Sequence, residues 1–299
     1  MQLTPHYGPD PILVLDGPPS AIGAPAIRQR QRLAATVSSF TDEQWGHPSR
    51  CAGWTSRDVI VHLDSTNMFW FHAIGAGLRG EPTRFLTTFD PVTSPAHSVA
   101  GDTTPANELL ARFQASTDAL VSLWASLDDD SWSALAEAPP GHISVSAVTH
   151  HALWDSWVHE RDVLVPLGLR TDEHADEIAA CLRYAAGLGP ALARTRGPEG
   201  RGVLAVTATE PEMSIVVDIG DRVEVHSRGI GTDADRDTDR DTDRDADRDA
   251  DRDADVVLAG RAIDLLESLS IRRPLEATLA AEHAWMLSGL SETFDLTGN

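Results

Sequence analysis

Apolar residues recur every three to four positions through the first 168 residues, the rhythm of helices with one buried face. Ile27, Leu33 and Val37 mark a helix from about Pro25 to Phe40. Thr41-Asp-Glu-Gln44 reads as a capping box opening a short turn through Trp45. Thr55 is the expected N-cap of a second long helix, with Asp58 at its third position, where a carboxylate suits the helix dipole. That helix carries Val59, Ile60, Val61, His62, Leu63, Phe69 and Trp70 and ends between Gly75 and Gly80. Thr104-Pro105 starts a third, running to about Leu127 through Leu109, Leu110, Phe113, Leu120 and Trp124. A fourth begins between Ser144 and Ser146, carries His151, Asp155 and His159, and stops near Leu167-Gly168. The stretch 80–103, with Pro82, Pro91 and Pro95, is expected to be a long loop of the kind that borders sites. Four such helices predict an antiparallel bundle, whose sites form between facing helices.

The rhythm then changes. Residues 173–194 keep a helical period, but 202–209, 213–219 and 222–226 alternate or run β-branched, the pattern of antiparallel strands. Residues 256–258 read as another strand, 262–269 as a helix, 275–279 as a strand or short helix, and 280–290 as a last helix. The fold class expected is mixed: a four-helix bundle at 26–168, then a smaller α+β domain at 173–299 with an antiparallel sheet. Residues 1–25, rich in Pro and Gly, are expected to form an irregular arm.

Charge changes the picture in one place. The formal net charge is −22, which argues against nucleic acid or an anionic membrane as partner. Residues 233–255 hold 12 Asp and 5 Arg in an Asp-Arg-Asp-Thr/Ala tetrad. With no apolar side chain to bury, the segment 232–255 is expected to be a disordered surface loop. Its Asp-x-Asp spacing suggests calcium, but the turn Gly and terminal Glu of a calcium loop are missing and each Arg repels a cation. Residues 1–25 lack a basic start and an uninterrupted apolar core, so no signal peptide is expected, and no run of about 20 apolar residues is present. Cys51 and Cys181 are far apart with no CxxC, so free thiols and a cytoplasmic location are expected.

The candidate chemistry lies on two of the helices. Asp155 and His159 are four residues apart and project from one helix face. If the helix of His62 packs against it, two imidazoles and a carboxylate converge, a donor set suited to zinc with one position open. An Asp–His pair at this spacing also serves as plain helix stabilisation, and 12 histidines make coincidence easy. His151, one turn before Asp155, is a substitute ligand or a residue behind the ligands. A structural metal would require such a fourth protein ligand. Asp162 either orients the His159 imidazole or is a surface acid. Cys51 is expected to pack rather than act as a nucleophile. Trp45 and Trp54 are expected to be anchors.

Two blocks carry a resemblance. Trp45-Gly-His-Pro-Ser-Arg-Cys-Ala-Gly-Trp54-Thr-Ser-Arg-Asp-Val-Ile-Val-His62-Leu resembles the N-terminal signature of the mycothiol-dependent maleylpyruvate isomerase family, within the DinB-like metal-dependent thiol transferases. Trp154-Asp155-Ser-Trp157-Val-His159-Glu-Arg-Asp162 is similar to its second block, in which Asp155 stands where the family has Glu. The resemblance covers about residues 26–168. Residues 257–273 resemble part of the family's second domain, related to sterol-carrier-type α+β folds.

The resemblance implies that His62, Asp155 and His159 hold a divalent metal, zinc being the expected ion. It implies mycothiol as the thiol cofactor and a small electrophile as substrate. In the family's isomerisation, sulfur adds across a cis double bond, the bond rotates, and sulfur leaves to give the trans isomer; in S-transferase relatives the adduct is the product. Arg272 or Arg273 is the candidate for holding a substrate carboxylate. The shorter Asp155 leaves a rival open: a metal- or small-ligand-binding protein on the same scaffold without turnover.

Overall fold

The computed structural model describes residues 4–88, 90, 93–197, 200–228, 254–275, 277 and 279–294. The four expected helices are α1 (Gly23–Val37), α3 (Ser56–Leu78), α5 (Ala106–Ala125) and α6 (Val145–Leu164). Their starts follow the local chemistry. The short α2 (Asp42–Trp45) and α3 each open on a capping box, Thr41 with Gln44 and Thr55 with Asp58, and the Ser144 side chain accepts from Ala147 N–H to cap α6. The stretch expected to be a loop contains a 3-10 turn at Phe85–Thr88 and a helix α4 (Thr93–Gly101). Before α6 the chain makes a hairpin of β2 (Leu135–Ala138) and β3 (Gly141–Ser144). β2 reads Leu-Ala-Glu-Ala, without the β-branched or aromatic residues that mark a strand.

α7 (Ala175–Arg194) follows and is buried along most of its length, lying between α6 and a five-stranded sheet. The sheet order is β1-β6-β5-β4-β7. Strands β4 (Gly202–Thr209), β5 (Met213–Ile219) and β6 (Val223–Arg228) form the expected antiparallel core. Parallel edges extend this antiparallel sheet: β7 (Val256–Arg261) runs parallel to β4, and β1 (Leu13–Leu15) parallel to β6. β1 corrects the irregular arm. Leu13 pairs with Val223 and is 1% exposed, so three residues between Pro11 and Gly17 become a strand through a partner 210 positions away. No local pattern marks such a strand.

α8 (Ala262–Leu269) and α9 (Trp285–Phe294) complete the second half. Residues 275, 277 and 279 belong to no helix or strand, against the expectation for that stretch. Most of the Asp/Arg repeat at 232–255 lies outside the described residues. α7 approaches the sheet so closely that a Cβ on Gly187 would lie 2.6 Å from Val225 and 2.8 Å from Leu13. One core runs from Trp70, Leu153 and Trp157 of the helices through α7 to Leu204, Ile215 and Val225 of the sheet. The two halves therefore share their interior. Among the described residues no helix is long and apolar enough to cross a membrane.

Candidate metal centre

α3 and α6 meet along a ladder of residues four apart. His62 faces His159 with ring centroids 4.9 Å apart. Thr66 Oγ1 lies 3.5 Å from Asp155 Oδ2. Trp70 faces His151 at 4.8 Å. Numbers rise along α3 and fall along α6, so the helices are antiparallel and each rung repeats after about one turn.

The first two rungs bring together the three residues singled out in the sequence. Asp155 Oδ1 lies 3.6 Å from His62 Nε2 and 3.5 Å from His159 Nε2. One ligand atom from each residue falls within 4.8 Å of the other two. Side-chain exposures of 15%, 13% and 11% leave the group reachable from solvent. Metal–ligand bonds of about 2.0–2.1 Å at tetrahedral angles place neighbouring ligand atoms about 3.3 Å apart. The two measured edges are close to that spacing, so these residues fit a zinc-sized ion with small adjustments. Trp54 packs beside His62, ring centroids 5.5 Å apart.

The electrostatics suit a cation. Burial pushes the Asp155 carboxyl up, but the neighbouring His62 and His159 outweigh it and hold the group well below the usual carboxylate range. Burial pushes His159 down, while Cys51, Asp162 and Asp155 push harder the other way, so the net shift is upward. Without a metal the site favours a proton on His159, and an entering ion would displace it.

His159 is oriented from behind. Its Nδ1 lies 3.0 Å from Asp162 Oδ2. Asp162 is fully buried and is held ionised, well below the usual range: burial opposes this, and His159 and Arg272 overcome it. Arg50 Nε donates to Oδ1 at 3.0 Å, and Arg272 donates to both carboxylate oxygens at 2.8–3.0 Å. Cys51 Sγ lies 3.2 Å from Oδ2 and 3.6 Å from His159 Nδ1. Cys51 and Arg50 are thus part of the surroundings of His159, a placement the sequence did not mark. They sit in the loop before α3, and no local spacing ties that loop to the end of α6. Cys51, His159 and Asp162 form a second group near enough to share an ion, but the guanidinium groups of Arg50 and Arg272 on Asp162 oppose a cation there.

The remaining candidates fall elsewhere. His151 is not among the three converging ligands. Its Nδ1 lies 2.6 Å from the Tyr184 hydroxyl, and its ring packs among Trp70, Trp154 and Tyr184. Burial lowers its pKa to about 4. Arg273 pairs with Asp264 on the surface, whereas Arg272 commits its donors to Asp162, the Ser270 carbonyl and, at 3.8 Å, Cys51 Sγ.

Residues 27–164 match the family model described as the mycothiol maleylpyruvate isomerase N-terminal domain. No curated protein matches the chain. Among solved structures, one similar to this fold is a crystal structure of the mycothiol-dependent maleylpyruvate isomerase. It has a TM-score of 0.56 at 16% identity over 86% of this chain and 91% of that one. A second, of a histidine-to-alanine mutant of mycothiol-dependent maleylpyruvate isomerase, gives 0.51 at 18% identity over 67% and 80%. At these identities the likeness is one of fold. The helices that carry the three converging side chains fall entirely inside the matched segment, and residues 27–164 belong to the mycothiol maleylpyruvate isomerase N-terminal domain family.

Proposed function

We propose that this protein is a metal-dependent enzyme that uses mycothiol to isomerise, or to add sulfur to, a small electrophilic substrate such as maleylpyruvate. The observation that carries this reading is the pair of 3.5 and 3.6 Å distances from Asp155 to the two Nε2 atoms, close to tetrahedral edges. His62, Asp155 and His159 are the residues that would hold the ion. When bound, a divalent metal favours the ionised form of a coordinated thiol at neutral pH, which supplies the nucleophile for reversible addition to an electrophilic carbon.

The chain's own residues do the rest. Asp162 keeps the Nδ1 proton of His159 engaged, which leaves the Nε2 lone pair for the ion. Thr66 and the wall of Trp54 limit how far Asp155 and His62 can swing. Three protein ligands leave a coordination position for the thiol, as a catalytic rather than a structural site requires. Tyr184 engages His151, which favours three ligands over four. The short Asp155 side chain reaches both imidazoles, and this weakens the rival of a binding protein with a disabled site. Two free thiols, one buried, suit a cytoplasmic enzyme.

The test is metal content with activity. We expect about one zinc or similar ion per chain, lost in His159→Ala, and conversion of maleylpyruvate to its trans isomer only with both metal and mycothiol. A chain that takes up no ion after reconstitution would sink the proposal. Metal uptake with neither isomerisation nor thiol consumption would leave the binding-protein reading in its place.

A further inference from the structure

We infer that Arg272, in the turn after α8, is a positioning residue of the metal centre, acting through Asp162 on His159 rather than holding substrate. The inference rests on the metal reading of His62, Asp155 and His159.

A fully buried carboxylate is tolerated only when its charge is matched and its lone pairs are filled. Asp162 meets that condition with groups from three parts of the chain. Arg50 comes from the loop before α3, His159 from its own helix, and Arg272 from the second half of the molecule. Arg272 contributes most: Nε spans both oxygens at 2.9 and 3.0 Å, and Nη2 reaches Oδ2 at 2.8 Å. Oδ2 is the oxygen that also faces His159 Nδ1. A planar guanidinium in this pose fixes the plane of the carboxylate, and the carboxylate fixes the plane of the imidazole.

The turn bearing Arg272 is itself held against α6. Arg272 N–H donates to the Glu267 carbonyl at 2.8 Å. The Glu267 carboxylate receives Arg50 and Arg161 at 3.0 and 2.9 Å. Trp154 Nε1 donates to Ser270 Oγ at 2.8 Å, one residue before Asp155. Ile271 has φ of +54°, a left-handed conformation that a β-branched residue adopts only when its surroundings impose it. The turn Ser270–Arg272 therefore grips α6 at Trp154 and Asp162, on either side of the segment that carries Asp155 and His159. The second half of the chain completes the centre built by the first.

The experiment is a metal titration of the full-length chain with zinc and with cobalt, in the absence of substrate. It compares wild type with Arg272→Met, Arg272→Lys and Arg273→Met. Loss of a partner behind a metal-ligating histidine costs about 10–100-fold in affinity, and we expect that loss in Arg272→Met. The visible absorption of bound cobalt should shift with it. Arg272→Lys, which keeps the charge but not the fork, should fall between, and Arg273→Met should match wild type. Should Arg272→Met not fold, Arg272→Lys decides by the same two readouts. Wild-type affinity and cobalt spectrum in the folded Arg272 variant overturn the inference; if a separate turnover assay of that variant then shows a change confined to the KM, Arg272 returns to substrate binding. A wild-type chain that binds no ion overturns the metal reading itself, a separate result.

Discussion

Trp70 and His151 lie ring to ring, 4.8 Å between centroids, one helical turn beyond the rung of Thr66 and Asp155. This apolar rung sets the register in which α3 and α6 present His62 to Asp155 and His159. Trp70 is 3% exposed, and truncating a buried Trp removes packing that neighbours replace only in part. Trp70→Ala should destabilise the protein by about 3–5 kcal/mol, measured as a shift of the urea midpoint. The same variant should bind metal more weakly, because the rung that sets the ligand spacing is gone. Wild-type affinity in a folded Trp70→Ala protein would show that the register is set elsewhere.

Asp155 and His151 share a helix face but differ in surroundings. Asp155→Asn should lower metal affinity sharply, since it removes the only carboxylate among the three converging groups. His151→Ala should retain about one ion per chain, its Nδ1 being engaged by Tyr184. Elemental analysis of the two variants side by side checks both, and loss of the ion in His151→Ala would make that residue a fourth ligand.

Two buried histidines make the fold sensitive to mild acid. Burial lowers His150 to about 3 and His151 to about 4. An unfolded histidine titrates near 6.5, so between about pH 6.5 and 4 the unfolded chain binds more protons than the folded one. Stability is fully present above about pH 6.5 and falls as the pH drops through that window, by a few kcal/mol in all. Urea midpoints recorded from pH 7 to 4.5 should decline, and His150→Gln should flatten the decline. An equal slope in that variant would place the acid sensitivity in other groups.

Gly187 marks the closest approach of α7 to the sheet, with positions for a Cβ at 2.6 Å from Val225 and 2.8 Å from Leu13. Gly187→Ala should cost about 1–3 kcal/mol through overpacking, despite the better helix propensity of alanine. Thermal melting of the variant against wild type measures it, and an unchanged or higher midpoint would mean that β1 and β6 yield easily.

What the sequence determined by itself is what depends on near neighbours. Helix period placed α1, α3, α5, α6 and α7 within a few residues, and the caps at Thr41 and Thr55 announced their helices because a cap is satisfied within four positions. Asp155 and His159 were bound to share a face, since the turn of a helix is a property of the backbone. Tertiary structure decided the rest. It set the register of α3 on α6, turned residues 13–15 into a strand, and made both sheet edges parallel. It gathered Arg50, Cys51 and Arg272 around Asp162 from loops more than 100 residues away on either side. Such contacts form because a buried charge must find partners wherever packing brings them, and no spacing along the chain records where that will be.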